Sequence, residues 1–549
     1  MDRRTFLRRL GTVGLVGAAG TVLGQRGASS AALARQRMSE ISNASDHLVT
    51  ADWVKEENAR GDRTNAWIIP RRLSGSAPPG IEGYVNKVSL VSGDELILRV
   101  NTVASTYRAF VYRMGYYGGF GARRIVASPV LTGHRQPGPS RTAGTNMVEC
   151  NWSTSWTTPV TKAWPTGQYL IKLVGSGDEQ QYVPFTVRDD ASVSAYVLQS
   201  SVTTWQAYNA YGGYSLYGGP VTTTRTSFEN RSRIVSFDRP YRHSPLALDV
   251  RGSGDFLGNE LPMIYLAERH GLDVSYITDV DLHANPARLL AHKAFLSLGH
   301  DEYWSMQMRD GALAARDRGV NLAFFGANAC YRQARFAPSR DGENRHLICY
   351  KDPAEDPVTK EHPAFSTAGS WATGPVPKPE SDLIGLMYQS YGAPFGALTV
   401  ADASSWVFQG TGLRTGEKIP DVIGSEFDGF EPGYPHPDNI EILGHSPTSS
   451  SSGARFADLS YYSSGSGMGG VFASGTASWV ESIWDGSRRT QTLLGFGNKP
   501  SATLAPLTAI TLNVLAAFGP GPAGERHRSR SNWRQFYNSG QRPNASKDV

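Results

Sequence analysis

The stretch AFLSLGHDEYWSMQMRDGALAARDRGVNLAFFGAN, residues 294–328, decides the fold of this chain. It opens with an apolar run typical of a buried strand, residues 294–298, and closes with a second such run, residues 320–325. Between them, residues 303–318 have the apolar spacing of a helix, which Gly319 is expected to end. Two buried strands joined by a helix predict neighbouring parallel strands of an α/β domain.

The same alternation of strands and helices continues on both sides of this stretch. Further predicted helices cover 259–270, 286–290 and 510–518, and further predicted strands cover 272–278 and 471–476. Many Gly, Pro and Ser residues between 340 and 470 predict long loop excursions. We therefore expect one α/β catalytic domain over residues 189–520, with its excursions at 340–470.

The segment before this domain has the pattern of an all-β unit. Its predicted strands, separated by turn signals, cover 88–91, 96–100, 110–113, 169–174 and 182–187. Such a series of short strands predicts an antiparallel, Ig-like β-sandwich over residues 83–188. Residues 35–82 are polar and rich in turn residues, and are expected to form an extended lead-in.

The N-terminus has the features of an export signal. Arg3-Arg4-Thr5-Phe6-Leu7 is followed by a mild apolar run over 11–24 and by Ala32-Leu33-Ala34. These features predict a cleavable twin-arginine signal peptide at residues 1–34. The folded protein is therefore expected to pass the twin-arginine translocase and to be periplasmic, cell-wall-associated or extracellular. A run of about 14 residues is too short for a stable membrane anchor.

The basic balance of the chain belongs to its two ends. The 549 residues carry a formal charge of +5, but residues 1–34 contain five Arg against one Asp. Residues 521–549 contain six Lys or Arg against two acidic residues, and we expect them to form a basic, disordered tail. The body is therefore slightly acidic, and we expect no binding to nucleic acid.

Three cysteines are too few for a disulfide scaffold. Cys330 and Cys349 are close in sequence and can pair in an oxidising compartment, which would leave Cys150 free. The sequence leaves the paired and the unpaired state open.

Polar side chains follow both strands of the opening stretch. His300, Asp301 and Glu302 come directly after the first strand, and Asn328 comes after the second. Ligands of open parallel sheets bind beyond the carboxyl ends of the strands, so these side chains should share one site. Helix capping would account for an Asp and a Glu at this place, but not for His, Glu and Asn together.

A second cluster, residues 204–217, contains four tyrosines around a Gly-Gly pair: Tyr208, Tyr211, Tyr214 and Tyr217. Tyr241 follows later, beside two arginines. Ring packing is a sufficient explanation for any single one of these tyrosines. The sequence contains no Cys/His set with zinc spacing and no P-loop, so neither a structural zinc site nor an NTPase is expected.

Three short motifs together resemble the large, or beta, subunit of N,N-dimethylformamidase and its relatives. They are WQAYN at 205–209, GHDEYWS at 299–305 and GAN at 326–328. The resemblance covers roughly residues 85–520 and is clearest over 195–335. It implies a β-sandwich followed by an α/β domain like the class I glutamine amidotransferase fold. It also implies hydrolysis of amide C–N bonds at one mononuclear iron, expected as Fe(III).

The same resemblance assigns the metal ligands. In that family two tyrosines and one glutamate hold the iron, and Glu302 matches the glutamate. Tyr208 is assigned as the first ligating tyrosine and Tyr241 as the second. Three other tyrosines compete for these two places, namely Tyr211, Tyr214 and Tyr217. The family also pairs this subunit with a small partner, which nothing in this chain encodes, and a homo-oligomer stays open.

The resemblance also assigns the residues that act on a small amide substrate. Phenolate and carboxylate oxygens are hard donors that suit Fe(III), which would polarise the substrate carbonyl and activate a water molecule. His300 would transfer the proton, and Asn328 would orient the substrate or stabilise the oxyanion. Phe472 is assigned to substrate binding.

Two alternatives stay open at this point. One is an amidotransferase-like or sugar-active hydrolase that uses the same sheet edge without iron, for which Cys330 is the only nearby thiol. The other is a non-catalytic cell-surface protein whose sandwich and aromatic loops bind a carbohydrate.

Overall fold

The computed structural model describes residues 47–69, 80–242, 253–367, 369–391, 396–450, 453–486 and 499–537. Within them the chain is a mixed α/β protein with antiparallel and mixed sheets. The predicted signal peptide and the end of the predicted tail lie outside the described residues.

Two mainly antiparallel sheets come first. Their strands are Ile81–Val85 (β1), Ser89–Leu90 (β2), Glu95–Thr102 (β3), Thr106–Met114 (β4), Ala122–Ala127 (β5), Leu131–Thr132 (β6), Ser140–Arg141 (β7), Val148–Glu149 (β8), Trp156–Pro159 (β9), Gly167–Gly175 (β10) and Gln180–Val187 (β11). One sheet has the order β1-β3-β9 and the other β2-β11-β10-β4-β5, with β6 beside β4 and β7-β8 as a separate pair. Buried side chains of both sheets, such as Leu98 and Val111, form one apolar cluster. This shared core accounts for the apolar residues of the predicted strands.

The remaining strands form one large sheet and four small ones. They are Tyr196–Ser200 (β12), Ile234–Ser236 (β13), Val274–Thr278 (β14), Ala294–His300 (β15), Tyr303–Trp304 (β16), Asn321–Ala327 (β17), Arg332–Gln333 (β18), Arg335–Ser339 (β19), Gly342–Ile348 (β20), Met387–Tyr391 (β21), Gly396–Thr399 (β22), Lys418–Ile423 (β23), Glu426–Gly429 (β24), Glu441–Ser450 (β25), Gly453–Ser463 (β26) and Gly470–Ala473 (β27).

The large sheet has the order β14-β12-β15-β17-β27-β26-β25. Its first five strands are parallel, and β26 and β25 extend it in antiparallel fashion. Strands β15 and β17 pair in register from Ala294 with Asn321 to His300 with Ala327. Their carboxyl ends therefore meet at one edge, as the sequence predicts.

Helices cover or extend this sheet. They are Asp52–Asn58 (α1), Val202–Tyr208 (α2), Ser253–Asn259 (α3), Leu261–Arg269 (α4), Asp279–Ala284 (α5), Met306–Asp317 (α6), Ser381–Ile384 (α7), Trp479–Ser482 (α8), Ser501–Phe518 (α9) and Ala523–Arg526 (α10). Short 3-10 helices cover Tyr117–Gly119, Tyr211–Gly213, Pro286–Ala291, Pro363–Phe365, Trp406–Phe408 and Trp533–Gln535. The hydroxyl of Ser305 caps α6 by accepting from the backbone N–H of Met308, and Gly319 follows its end with φ +94°.

Helix α9 is long and apolar enough to cross a membrane by length and composition alone. In the structure, however, 61% of its 18 residues are buried, and it packs against β23 and the 3-10 helix Trp406–Phe408. Core packing is therefore a sufficient explanation for its composition.

The structure corrects three local predictions. The lead-in contains α1, which Asn58 anchors by accepting from the backbone N–H groups of Tyr116 and Tyr117. The helix predicted over 259–270 is two helices, α3 and α4, on either side of Glu260. The helix predicted from Tyr303 starts only at Met306, because residues 303–304 form β16 and pair with β18.

The beginning of the tail is also ordered, in contrast to the prediction of disorder after residue 520. Residues 523–526 form α10, and Trp533 is buried against the rings of Phe430 and His436. Burial of a large aromatic ring offsets the entropy lost on ordering this segment, which its charge pattern does not reveal.

Candidate functional site

The site lies where β15 and β17 end. Gly299 has φ +59°, and a Cβ atom there would come within 2.4 Å of the Cβ atom of Asn259, so the turn into the site requires glycine. His300 is the last residue of β15, Glu302 follows two positions later, and Asn328 follows β17 with φ +57°. The sheet therefore brings these three side chains to one edge, as the sequence predicts.

Glu302 is the centre of the site. Its carboxylate accepts the phenol of Tyr208 at Oε2, 2.7 Å away, and the phenol of Tyr217 at Oε1, 2.5 Å away. The two phenol rings stack with centroids 4.3 Å apart. The backbone N–H of Glu302 donates to Oγ1 of Thr204, on the same helix as Tyr208. Two phenol oxygens and one carboxylate thus converge in a buried place.

His300 lies between two carboxylates. Its Nε2 is 3.4 Å from Oε2 of Glu302 and 3.0 Å from Oε2 of Glu426, and its ring lies against that of Tyr208. Burial disfavours the charged imidazolium, but Glu426 and Glu302 outweigh it and raise the pKa of His300 well above its usual value. Burial alone would raise the pKa of Glu302. The neighbouring His300 has the opposite effect, and it holds the pKa of this carboxyl below its usual range.

Glu426 is a functional candidate that the sequence analysis missed. It begins β24, in the middle of the predicted loop excursions, and its Oε2 accepts from Nδ2 of Asn328 at 2.7 Å. Two residues on, Asp428 accepts the backbone N–H of Asn328, and burial raises the pKa of Asp428 to about 8. No motif marks this segment, so only its return to the sheet edge identifies it.

Two basic side chains lie next to Glu302 or its phenol partner. Nε of Arg332 is 3.7 Å from Oε1 of Glu302. Nζ of Lys351 lies 3.3 Å from the ring centroid of Tyr217. Burial, together with the charge of Arg332, holds the pKa of Lys351 well below its usual value.

Helix α2, which carries Tyr208, rests on buried carboxylates. Glu260 accepts from the hydroxyl of Ser200, the backbone N–H of Ser201 and the indole of Trp205, and Asp279 accepts from Thr203. Burial raises the pKa of Glu260 to about 8. These bonds set the direction of α2 and so the place of its last residue, Tyr208.

Two assigned residues are not brought to Glu302. Tyr241 packs its ring against Trp205, and its backbone carbonyl accepts from Gln181. Phe472 is fully buried in β27, between the rings of Phe325 and Trp479. Tyr241 thus anchors a loop and Phe472 belongs to the core under the sheet, because their strands and loops follow courses that short motifs do not encode.

The other competing tyrosines lie in different surroundings. The phenol of Tyr211 donates to Glu82 in the first β unit, and the ring of Tyr214 faces the guanidinium of Arg141. Only Tyr217 of the three reaches Glu302. Tyr217 lies nine residues after Tyr208, beyond the 3-10 helix Tyr211–Gly213, and no sequence motif distinguishes it from Tyr211 or Tyr214.

All three cysteine thiols are free and buried, so Cys330 and Cys349 are not paired. Burial raises the pKa of Cys330 to about 12, which leaves little thiolate at neutral pH. Its backbone N–H donates to the carbonyl of Asp301, and this contact ties the two loops of the site together.

In the part of the chain that the structure describes, no three His, Cys, Asp or Glu side chains are arranged to hold a metal ion. A metal at this edge would therefore have to take phenol oxygens as well. Tyr208, Tyr217 and Glu302 supply three hard oxygen donors, the set that suits a trivalent cation.

A protein-family model described as "N,N-dimethylformamidase beta subunit-like, C-terminal" matches residues 108–490 of this chain. A comparison with curated proteins finds no match. An uncharacterized protein from Bacillus anthracis str. Ames is 15% identical, with 19% of this chain and 82% of that chain covered and a TM-score of 0.13. A Paenibacillus sp. cycloisomaltooligosaccharide glucanotransferase is 9% identical, with 47% of this chain and 56% of that chain covered and a TM-score of 0.15. Scores this low support no argument.

Proposed function

The chain belongs to the N,N-dimethylformamidase beta subunit-like family, and on that premise we propose that it is a metal-dependent hydrolase of amide C–N bonds. The observation that carries the proposal is the contact of two phenols with the two oxygens of Glu302. We include in the proposal an Ig-like first unit, an amidotransferase-like parallel sheet and export by the twin-arginine route.

The proposed metal ligands are Tyr208, Tyr217 and Glu302. The metal, taken as one Fe(III), would supply a Lewis acid that polarises the amide carbonyl and acidifies water. Tyr217 replaces Tyr241 in this set, because Tyr217 reaches Glu302 and Tyr241 packs on Trp205. The lowered pKa of Glu302 keeps it anionic, as a ligand must be.

The proton transfers fall to His300. Its raised pKa keeps a proton on the imidazole, and that proton can pass to the departing amine nitrogen as the C–N bond breaks. Water would add to the carbonyl before this bond breaks, so the neutral imidazole then takes up the proton that the added water brought with it, with Glu426 3.0 Å from Nε2 to stabilise the charge that returns. One proton is given and one is taken, so the cycle closes.

The burial of the site suits a small substrate. The side chains of Glu302 and His300 are 2% and 7% exposed, so most water is excluded and the electrostatic contacts are strengthened. The thiol alternative fits less well, since Cys330 is buried with a pKa of about 12.

The test is the metal content, visible spectrum and amide-hydrolysing activity of the full chain supplied with iron. We expect about one iron per chain, a tyrosinate-to-iron absorption band, and turnover of at least one amide in a panel of small N-substituted amides. Glu302→Gln keeps the side-chain volume and removes the anionic oxygen, so it should lose the metal and the band while keeping the circular dichroism spectrum. A folded wild type that is colourless, free of metal and inactive would refute the proposal and favour the carbohydrate-binding alternative.

A further inference from the structure

A groove of about 580 Å³ lies on the first β unit. Lead-in residues 62–66 form one wall, and strands β4 and β5 form the floor. None of the described residues that line it belongs to the site around Glu302. Its volume is within the range of about 300–1,000 Å³ that is typical of small-molecule sites. The groove is therefore large enough for a ligand of its own.

The alternation of side chains along β4 forms the floor of this groove. Ala109 and Val111 belong to the apolar core of the first β unit. Since successive side chains of a strand point to opposite faces, Arg108, Phe110 and Tyr112 lie on the face that lines the groove. Two of these three side chains are aromatic, so the floor can pack against the apolar face of a ring.

Three arginines line the groove, namely Arg63 on the lead-in, Arg108 on β4 and Arg124 on β5. All three are exposed, and no carboxylate among the described residues forms an ion pair with any of them. Arg108 donates from Nε and Nη2 to the carbonyl of Ser128, at 3.1 and 3.0 Å, and its guanidinium carbon lies 5.3 Å from the ring centroid of Phe110. A guanidinium held in this way loses little freedom when it binds an anion.

The groove also contains polar groups that are not cationic. Asp62 lines it, with Oδ2 3.4 Å from Nη1 of Arg123. Thr64 adds a hydroxyl and Tyr112 a phenol. Burial raises the pKa of Tyr112, so this phenol keeps its proton at neutral pH. One carboxylate and two hydroxyl groups among three guanidiniums suit a ligand that carries both carboxylates and hydroxyls.

We propose that this groove binds an acidic oligosaccharide built from uronic acid units. Guanidinium groups bind carboxylates through two parallel hydrogen bonds, which suits the acid group of each sugar. Asp62 and Thr64 can accept sugar hydroxyls, and the aromatic floor can take the apolar face of a sugar ring. This binding goes beyond the proposed amide hydrolysis and does not depend on it.

Two other anionic ligands fit the groove less well. An acidic peptide would bind by adding a strand to the edge strand β5. The lead-in already occupies the start of this edge, where the backbone N–H of Thr64 donates to the carbonyl of Ala122 at 2.9 Å. A polyphosphate has no hydroxyl to offer to Asp62, and the charge of this carboxylate would repel it.

The test measures binding of trigalacturonic acid to the full chain at low salt, by isothermal titration calorimetry. The fully methyl-esterified trimer is the neutral analogue of the same shape. We expect the ester to bind about 10- to 100-fold more weakly, because it cannot form charge-assisted hydrogen bonds with the arginines. A tetraglutamate peptide and inorganic triphosphate should each bind at least about 10-fold more weakly than the acid trimer.

Three variants locate the binding site. Arg124→Gln removes one charge of the groove and breaks no hydrogen bond between described side chains, and it should weaken binding of the trimer about 10-fold. Arg135→Gln, at an exposed position of the same β unit outside the groove, should bind the trimer as wild type does. Glu302→Gln should also bind the trimer as wild type does, because the groove is separate from the proposed metal site.

The inference is overturned if the folded wild type does not bind the trimer, or if the ester, the peptide or triphosphate binds equally well. Unchanged binding by Arg124→Gln, or loss of binding in Arg135→Gln or Glu302→Gln, also overturns it. None of these outcomes bears on metal content or amide hydrolysis, so the two proposals can fail separately.

Discussion

The phenol oxygen of Tyr217 lies 2.5 Å from Oε1 of Glu302, although 85 positions separate the two residues. Tyr208 occupies the other oxygen of the same carboxylate, and its ring stacks on that of Tyr217. One carboxylate shared by two stacked phenols is a compact set of hard donors, and it can be dissected one hydroxyl at a time.

Single Tyr→Phe variants should separate ligands from packing residues. Tyr208→Phe and Tyr217→Phe should each bleach or shift the visible band of the iron-loaded protein, because each removes one donor oxygen. Tyr241→Phe and Tyr211→Phe should leave the band unchanged, because their rings pack or bond elsewhere. The Phe series avoids the cavity that an Ala variant would create, at about 3–5 kcal/mol. A band lost in Tyr241→Phe alone would restore the ligand set expected from sequence.

His300→Gln should retain iron but lose turnover by about 10²- to 10⁴-fold, the usual contribution of a general acid–base group. The Gln side chain can still bond to Glu426, so the pocket should keep its shape. Iron per chain and kcat on a substrate found in the panel are the two measurements. Loss of iron would make His300 a ligand, and unchanged kcat would remove it from the reaction.

Glu260→Gln should change how stability depends on pH. Burial raises the pKa of Glu260 from 4.5 to about 8, so the folded chain binds more protons than the unfolded chain between these values. Its contribution to stability is therefore present below pH 4.5 and is lost as pH rises to about 8, at up to ~1.4 kcal/mol per pH unit.

The Gln variant should show a flatter decline of the free energy of unfolding over this range, measured by urea titration at several pH values. The exposed Glu56→Gln serves as the control and should behave as wild type. Parallel curves for wild type and Glu260→Gln would contradict the prediction.

Trp533→Ala should lower the free energy of unfolding by about 3–5 kcal/mol, because it empties a buried ring site against Phe430 and His436. Arg528→Ala, at an exposed position of the same segment, should have little effect. Equal midpoints in urea for both variants would mean that the segment after residue 520 contributes nothing to stability.

Replacing Arg3 and Arg4 with Lys should retain the folded precursor in the cytoplasm. This prediction rests on the pair of arginines, which precedes Phe6, Leu7 and a short apolar run. Cell fractionation with an antibody against the folded domain is the measurement. Continued export in cells without the twin-arginine translocase would rule out this route.

The sequence alone determined the family, the alternation of strands and helices after residue 190, and the meeting of His300, Glu302 and Asn328. These features depend on short-range periodicity and on a general rule of parallel sheets, so a local pattern is enough to predict them. The match over residues 108–490 confirms the family.

Only the tertiary structure decided which side chains complete the site. Glu426 reaches Asn328 from a strand about 100 residues away, Tyr217 contacts Glu302 while Tyr241 packs on Trp205, and Phe472 packs into the core. Contacts between residues far apart in sequence determine where loops and short helices run. One example is the hydrogen bond from the backbone N–H of Ser201, just before α2, to Glu260. A motif therefore indicates which types of side chain a site needs, but tertiary packing determines which individual residues reach that site.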